Sequence, residues 1–429
     1  MAKDTSKKLT HQIIYQCYHR NFSVEGTFKG VESHIDRLVD LGIDILYLLP
    51  IHPIGEKARK GKQGSPYSIS DFYGINPELG TLEDFKSLIN KAHAKKLKVM
   101  IDIVFNHTSK DHPWLKEHPE YYYRNEQGNF ANRVGDWSDI TDLDYTHKPL
   151  WDVMIHNLEY WVKLGVDGFR CDVASLVPVD FWLEARKRVA EINPEFIWLA
   201  ESVHKEFVKE MREFGFDVHS DSEVFQAFDI TYDYDIYEEF EQYCRGEVSL
   251  SKYIDRLQLQ EMIYPTNYLK ARAFENHDQM RLMKRTNDVN KTKNWIAAGF
   301  MLKGVAFING GIETLTDHLP DLFNRDPIDW TTYDKEWIEQ LKTLIHLKKQ
   351  PIFSEYTHYH VFDHQVDVLH IEYKNADTTA VILCNVNQVD ETIEVSLKDG
   401  RYTNRFNKKE VVVKDNKLQC SSDPIIIID

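Results

Sequence analysis

Amphipathic helices and apolar strands alternate along most of the chain. The helical segments carry apolar residues at three- and four-residue spacing, for example at Leu82, Phe85, Leu88, Ile89 and Ala92. The segments between them are continuous apolar runs, which is typical of parallel strands covered on both faces. We predict eight strands, over residues 12–18, 44–51, 98–105, 166–173, 196–201, 225–233, 270–276 and 304–309. Strands and helices in alternation indicate a parallel α/β fold.

Polar residues at the strand ends decide between an open sheet and a closed barrel. In an open sheet, ligand-binding groups gather at one switch point of the strand order. In this chain they follow several different strands, as Asn106 and His107, Arg170 and Asp172, Glu201, and His277 and Asp278. A barrel brings all its strand ends to one mouth, where such residues read as catalytic. The pattern therefore favours a (β/α)₈ barrel, also called a TIM barrel.

Two segments break the alternation and define further domains. Residues 108–148 are polar, aromatic and rich in turn formers, and they are too many for an ordinary connection. We predict that they form a short inserted domain after the third strand. From residue 351 onward the pattern changes to short alternating strands, which predicts a C-terminal antiparallel β-sandwich over 351–429. Residues 1–107 and 149–350 are then the barrel.

Composition excludes several classes of protein. The chain has 429 residues and a net charge of -16, which argues against a nucleic-acid partner because phosphate contacts need basic patches. No run of about 18 uncharged apolar residues is present, so we expect no membrane span. The first residues, MAKDTSKKLTHQ, lack the apolar core of a signal peptide. The five cysteines are scattered and show no metal-binding spacing. A reducing cytoplasm fits these features best.

The stretch GFRCDV, residues 168–173, places two opposite charges at the end of a strand. Side chains alternate across a strand, so Arg170 and Asp172 share one face and Cys171 takes the other. Such a pair on an exposed edge strand would be ordinary and would stabilise little. Beside a reacting carboxylate, however, a nearby cation favours the ionised form. The hexapeptide alone leaves both interpretations open.

Several short motifs together resemble the α-amylase family, glycoside hydrolase family 13. Four of them stand at strand ends in the family's order: DIVFNH at 102–107, GFRCDVA at 168–174, LAES ending with Glu201 and Ser202, and FENHD at 274–278. Two longer segments, 64–81 and 322–330, resemble the family's stretches after strands two and eight. The resemblance covers roughly residues 12–350, and the family places a β domain after that point.

The resemblance assigns roles to the strand-end residues. It implies that Asp172 is the nucleophile, that Glu201 is the general acid and then the base, and that Asp278 is a third carboxylate on the sugar hydroxyls. Glycoside hydrolysis needs two carboxyl groups on either side of an oxocarbenium-like transition state. The substrate-binding residues that the resemblance implies are Tyr67, which would stack on the sugar, His107 and His277, which would bind its hydroxyls, and Arg170, which would orient the nucleophile. We expect a structural role for Asp102, deeper in strand three.

The chemistry itself needs no cofactor, but the family resemblance suggests a structural calcium ion. Asn106 in the first motif and Asp142 in the insert would ligate it, because hard oxygen ligands suit Ca²⁺. The insert is short for the family, which weakens this expectation. The chain also departs from many α-amylases after the nucleophile, where Ser175 and Leu176 stand at the positions of the usual Lys-His pair. Val173 directly follows the nucleophile, as valine does in several family members that act on α-1,6 or mixed bonds.

The leading hypothesis is a retaining hydrolase of α-1,4-linked glucans: starch, glycogen or maltooligosaccharides. A cyclomaltodextrinase, an α-1,6-acting glucosidase and a transglycosidase of the same family remain alternatives. A non-catalytic amylase-like binding protein is disfavoured, because Asp172, Glu201 and Asp278 are all present. A metal-dependent barrel enzyme is also disfavoured, because no pair of histidines with a carboxylate stands at ligand spacing.

Overall fold

A computed structural model describes residues 5–429; the first four residues of the predicted barrel domain lie outside the described residues. Eight parallel strands close into a barrel in which the first strand pairs with both the second and the eighth. In chain order the barrel strands are Ile13–Cys17, Ile45–Leu48, Lys98–Ile103, Gly168–Cys171, Ile197–Ala200, Ile230–Tyr232, Leu269–Arg272 and Val305–Asn309. The closed barrel is confirmed and the open sheet is excluded.

Helices follow the strands and cover the outside of the barrel. They are His19–Phe22, Phe28–Ser33, Ile35–Leu41, Leu82–Ala94, Pro149–Lys163, Val179–Ile192, Lys205–Glu213, Asp221–Val224, Tyr237–Cys244, Leu250–Ile263, Leu282–Thr286, Val289–Met301 and Lys335–Lys348. Helix Leu82–Ala94 begins with a capping box, in which Thr81 accepts from the backbone N–H of Asp84 and the Asp84 carboxylate accepts from the backbone N–H of Thr81. Its buried residues are the predicted Phe85, Leu88, Ile89 and Ala92.

The sixth strand is shorter than the sequence pattern indicated. The prediction covered 225–233, whereas the strand is Ile230–Tyr232 and is preceded by the short helix Asp221–Val224. Asp229 explains where the strand begins, since its carboxylate accepts from the backbone N–H of Trp198 at 3.0 Å and from Arg186. The carboxylate of Asp229 thus accepts a hydrogen bond that a backbone carbonyl would accept if the strand began earlier.

The insert and the C-terminal region have their own antiparallel sheets. In the insert, His107–Ser109 pairs with Ile140–Asp142, and a short helix, Trp114–Glu117, lies between them. The C-terminal strands form two four-stranded sheets, one of His358–Phe362, Leu369–Lys374, Thr379–Cys384 and Ile425–Ile428, the other of Thr392–Glu394, Lys417–Gln419, Glu410–Lys414 and Gly400–Thr403. These sheets confirm the antiparallel C-terminal domain.

Strand alternation fixes the C-terminal domain on the barrel. In Thr379–Cys384, Ala380 and Ile382 belong to the large core shared with the barrel, whereas Val381 and Leu383 pack against the second sheet. Because successive side chains point to opposite faces, one strand contributes to both cores. No helix within residues 5–429 is long and apolar enough to span a lipid bilayer.

Lys348, at the end of the last barrel helix, gives the fold a pH-dependent stability. The side chain is fully buried and its ammonium donates to the carbonyl of Leu302 at 3.0 Å. Burial, together with the charge of Arg272, lowers the pKa of Lys348 from 10.5 to about 7. Between those two values the unfolded chain binds a proton that the folded chain does not, so the free energy of unfolding falls as the pH drops through this window. Below pH 7 the folded protein bears the full free-energy cost of a charged Lys348 in its interior.

Substitution Lys348→Met should therefore stabilise the protein more at pH 7 than at pH 10. The pH-dependent part amounts to about 1.4 kcal/mol for each unit of pKa shift. The lost hydrogen bond to Leu302 lowers stability alike at both pH values, so the difference isolates the charge. Urea unfolding of both proteins at the two pH values measures it. Equal effects of the substitution at pH 7 and pH 10 would contradict this account.

Candidate active site

The residues that follow the barrel strands meet around one cavity of about 260 Å³ at the carboxyl end of the barrel. Five of the predicted site residues line it, namely Tyr67, His107, Asp172, Glu201 and Asp278. The cavity wall also contains residues to which the sequence assigned no role in the site, which are Lys60, Ser65, Trp137, Asp139, Ile140, Val173, Leu322 and Phe323. Arg170 and His277 lie directly behind the lining residues.

Arg170 lies at the centre of the site and is completely buried. Its NH1 atom donates to Asp102 Oδ1 at 2.9 Å and to Asp172 Oδ1 at 2.7 Å, and its NH2 atom lies 3.0 Å from Glu201 Oε1. The register places Asp102 opposite Arg170 on the neighbouring strand, and the alternation places Asp172 on the same face. The opposite charges of GFRCDV are therefore an interior ion pair and not a surface pair. Asp172 and Glu201 are neighbours because one guanidinium binds both.

Three carboxylates on one guanidinium give the site an excess of negative charge. Burial, and then the charge of Glu201, raise the pKa of Asp172, and Arg170 acts in the opposite direction. Burial also raises the pKa of Asp102. Arg170, at 2.7 Å, is the charge that favours the ionised form of Asp172 against burial and against Glu201.

Val173 has an unusual backbone conformation that serves Glu201. Its φ is +38°, in the left-handed region that a β-branched residue rarely enters. In this conformation the backbone N–H of Val173 donates to Glu201 Oε2 at 2.8 Å. Strain of this kind costs on the order of 1–3 kcal/mol and persists where the surroundings impose it. The turn after strand four therefore positions the carboxylate that ends strand five.

A hydrogen-bonded chain connects Tyr67 and His277 to the barrel interior. The backbone N–H of His277 donates to Gln16 Oε1 at 3.1 Å, which fixes the orientation of the Gln16 amide. Its Nε2 then donates to His277 Nδ1 at 2.9 Å, so the ring proton of His277 is on Nε2. That nitrogen lies 2.6 Å from the Tyr67 hydroxyl and 3.0 Å from Asp278 Oδ2. The Tyr67 hydroxyl in turn donates to Asp102 Oδ2 at 3.0 Å.

Asp102 joins this chain to Arg170, which agrees with a structural role. Its Oδ2 also accepts from the Tyr47 hydroxyl at 2.6 Å, so three side chains donate to one buried carboxylate. Sequence reasoning did not find Gln16 or Tyr47, because both stand inside apolar strands without any distinguishing pattern. Their inward-facing polar groups were the only available signal.

His107 and Asp278 differ in charge and exposure. Burial lowers the pKa of His107 to about 4, so its ring is neutral at neutral pH, and Nε2 lies 3.1 Å from the carbonyl of Tyr67. Asp278 faces the open cavity with 41% of its side chain exposed. Partial burial would raise the pKa of Asp278, but the adjacent His277 outweighs it and the pKa is lowered. The cavity thus offers an ionised carboxylate to polar groups of a ligand, whereas the ring nitrogens of His107 face the Tyr67 carbonyl and the Asn106 amide, each at 3.1 Å.

Arg133 lies against the two residues that were expected to ligate calcium. Asn106 and Asp142 do lie together, with the Asn106 amide nitrogen 3.3 Å from Asp142 Oδ1, but Arg133 occupies the same place. Its NH1 atom lies 3.3 Å from Asp142 Oδ2 and 3.5 Å from Asn106 Oδ1, and its NH2 atom donates to the carbonyl of Leu143 at 3.0 Å. The oxygens that calcium requires therefore already face a cation. Within residues 5–429, no group of three His, Cys, Asp or Glu side chains is arranged to hold a metal ion.

Arg133 should therefore supply the positive charge that a metal ion would otherwise supply in the insert. We expect a chelator, or added calcium, to leave the melting temperature of the protein unchanged. Arg133→Ala should lower the free energy of unfolding by about 3 kcal/mol, because the buried Asp142 loses its charged partner and keeps only the neutral donors of the Asn106 amide and the backbone. Arg124→Ala, in the same insert but exposed, is the matched control and should have little effect. A chelator-induced fall in the melting temperature of the unaltered protein would contradict this expectation.

Comparison with known proteins agrees with this geometry and identifies the family. Residues 3–139 and 134–321 match the family described as alpha amylase, catalytic domain, and residues 360–427 match the bacterial alpha amylase C-terminal domain. The barrel, the insert and the strand-end carboxylates thus belong to a member of the alpha-amylase family.

Solved structures of similar proteins cover nearly the whole chain. An alpha-amylase from Lactobacillus plantarum is 42% identical with a TM-score of 0.94, over 99% of this chain and 100% of that one. A noncanonic maltogenic alpha-amylase from Thermotoga neapolitana is 33% identical with a TM-score of 0.86, over 98% and 99% of the two chains.

Curated relatives add a second type of enzyme. An alpha-1,4-glucan:maltose-1-phosphate maltosyltransferase from Myxococcus xanthus is 34% identical over 212 residues, which is 44% of this chain. The match spans only 32% of that relative's length. Alpha-amylase 3 from Dictyoglomus thermophilum is 27% identical over 76% of this chain and 70% of its own.

Proposed function

We propose that the protein is a retaining hydrolase of α-1,4-glucosidic bonds in starch, glycogen or maltooligosaccharides. The observation that carries the proposal is the pair of carboxylates, Asp172 and Glu201, bound to one guanidinium at the ends of adjacent barrel strands. Retaining enzymes hold their two carboxyl groups about 5–5.5 Å apart, and inverting enzymes hold them about 6.5–9.5 Å apart. Attachment to the same Arg170 favours the short separation.

In the first step, Asp172 attacks the anomeric carbon of the sugar bound against Tyr67. Arg170 binds Oδ1 of Asp172, which leaves Oδ2 for the attack. As the new bond forms, the glycosidic bond breaks, and Glu201 gives its proton to the departing oxygen. The backbone N–H of Val173 then helps to stabilise the carboxylate that Glu201 becomes.

In the second step, water attacks the same carbon from the face that the leaving group vacated. Glu201 takes a proton from this water, the bond to Asp172 breaks, and the carboxylate of Asp172 is regenerated. Two inversions give a product of the α-configuration. Asp278 would accept hydrogen bonds from the hydroxyls of the sugar, and His277 would hold Tyr67 and Asp278 in place. His107, whose ring nitrogens face the Tyr67 carbonyl and the Asn106 amide, would border the same sugar.

Transglycosylation is a second candidate, supported by the similarity to maltosyltransferases. Two apolar side chains, Trp137 and Val173, line the cavity that also contains Glu201. An apolar wall on the leaving-group side would favour a sugar acceptor over water.

We also propose a cytoplasmic location. All five cysteines are free, and disulfides are rare in reducing compartments. The substrate would then be an intracellular glucan or oligosaccharide.

A substrate panel with product analysis tests the proposed function. Maltooligosaccharides and starch should be cleaved, with the α-anomer formed first in ¹H NMR. Faster cleavage of cyclodextrin would indicate a cyclomaltodextrinase, and faster cleavage of isomaltose would indicate an α-1,6-acting glucosidase. Products longer than the maltooligosaccharide supplied would establish transglycosylation. A β-anomer as the first product would overturn the retaining mechanism.

A further inference from the structure

An ion pair forms part of the wall of the candidate active site. Lys60, in the loop after the second barrel strand, places its ammonium 2.9 Å from Asp139 Oδ1 in the insert. Both residues line the same cavity as Asp172 and Glu201. Asp139 is buried, and the Lys60 side chain is 32% exposed. The pair thus connects two segments that are far apart in the sequence, across the wall of the cavity.

A third segment completes this wall. Phe323, in the loop after the eighth strand, has its ring centroid 5.8 Å from the Lys60 ammonium. The backbone N–H of Gln63 donates to the Phe323 carbonyl at 3.1 Å, and that of Lys62 donates to Asn324 Oδ1 at 2.9 Å. Gly61 permits this approach, because a Cβ there would lie 2.7 Å from Phe323, and its φ is +62°. The two loops are therefore fixed against each other.

The wall lies beside Tyr67 and His107. The carbonyl of Asp139 accepts from the hydroxyl of Ser68, next to Tyr67, and the charges of both Asp139 and Lys60 act on His107. Glu201 instead is bonded to Val173. Since the acid protonates the leaving-group oxygen, the leaving sugar lies on the Glu201 side. In the proposed mechanism Tyr67 and His107 contact the sugar on the other side of the broken bond, so the wall adjoins the glycone, the part of the chain that runs to the non-reducing end.

We propose that Lys60, Asp139 and Phe323 end the cleft on the glycone side, bind the non-reducing terminal sugar and so set a short, fixed product length. Lys60 has donor hydrogens beyond the one directed at Asp139, and the carboxylate of Asp139 accepts from hydroxyl groups. A terminal sugar presents a free 4-hydroxyl to this pair, and the Phe323 ring suits its apolar face. A longer chain would have to displace the pair. The proposal rests on the proposed function.

Two forms of one substrate test the wall. The first is a maltoheptaose aryl glycoside with a free non-reducing end, and the second is the same compound with its terminal 4- and 6-hydroxyls capped. The unaltered protein should release one dominant short product from the free form and should cleave the capped form poorly. Lys60→Ala should narrow the difference in kcat/KM between the two forms by about 10-fold, as expected for the loss of a hydrogen bond to a charged group. The Lys60→Ala variant should also release products of several lengths in place of one dominant product.

Phe323→Ala removes a different part of the wall. It should also give products of several lengths, as Lys60→Ala should. Lys62→Ala is the matched control, because Lys62 is exposed in the same loop and does not line the cavity. Equal cleavage of the two forms by the unaltered protein, or unchanged products in both wall variants, would overturn the wall alone. Failure of the unaltered protein to cleave either form would overturn the proposed function and the wall with it.

Discussion

Asp172→Asn is expected to abolish turnover of every α-glucoside, whatever its leaving group. The substitution keeps the shape of the side chain and its acceptor for Arg170, but it removes the charge that attacks the anomeric carbon. Without that attack no glycosyl-enzyme forms. We expect kcat to fall on the order of 10⁴-fold or more, as for nucleophiles removed from other enzymes. Initial rates on maltooligosaccharides and on glycosyl fluorides measure the effect.

The same variant should keep its fold and gain stability. Asp172 is one of three carboxylates around a single guanidinium, and burial of its charge is unfavourable, so a neutral amide relieves repulsion. A melting temperature at or above that of the unaltered protein would separate loss of chemistry from loss of structure. Asp136→Asn, at an exposed carboxylate of the insert, is the control and should leave activity unchanged. Normal turnover of a glycosyl fluoride by Asp172→Asn would show that another group is the nucleophile.

Glu201→Gln is expected to lose activity in proportion to how much its substrate needs an acid. The leaving group of a maltooligosaccharide is a sugar hydroxyl, whose oxygen must be protonated as it departs. The aryl alcohol of an activated aryl glycoside departs without protonation. The first step should therefore fall about 10²–10⁴-fold on maltooligosaccharides and far less on the aryl glycoside. A rapid burst of aryl alcohol, followed by slow turnover, would report an intact first step and a second step that lacks its base.

Asp278→Asn provides the contrast for this prediction. Its carboxylate faces the sugar and not the leaving group, so its loss should reduce the rates on both types of substrate by a similar factor. Azide, an anion that needs no base, should accelerate the slow second step of Glu201→Gln and should not rescue Asp278→Asn. Equal losses on both leaving groups in Glu201→Gln would assign the acid to another residue.

Much of the barrel was predictable because its signal is local. Continuous apolar runs mark strands buried on both faces, and helix Leu82–Ala94 shows both its periodicity and its cap in the sequence. The short sixth strand was not predictable in the same way. Its beginning depends on the Asp229 carboxylate bonding to a neighbouring strand, and such a tertiary contact leaves no periodic trace.

The residues of the candidate site likewise fall into two groups, those that the sequence indicates and those that only the folded structure reveals. Strand-end residues such as Asp172 and Glu201 could be gathered from the sequence, because a barrel brings the ends of its strands together. Gln16 and Tyr47 could not, since only their partners distinguish them from other strand residues. Lys60 and Asp139 meet only once two loops have folded.

The calcium expectation stays a prediction, and the sequence could not show where Arg133 lies. The sequence indicated Asn106 and Asp142 as oxygen ligands, and they do lie together. Nothing in their spacing shows which cation they face. Arg133 stands nine residues before Asp142, and the fold of the insert brings its guanidinium onto both side chains.

Covalent trapping tests the central claim, that Asp172 is the nucleophile of a retaining glycosidase, most directly. A 5-fluoro-α-glucosyl fluoride loses its anomeric fluoride when the carboxylate attacks, and the ring fluorine slows the hydrolysis of the resulting ester. Intact-protein mass spectrometry should show the addition of one glycosyl group, and peptide mapping should place it on the peptide that contains Asp172. The Glu201→Gln variant should accumulate the same adduct, because fluoride leaves without an acid. A label on Glu201, on Asp278 or on any other residue would contradict the account, as would full turnover of the reagent with a β-configured product.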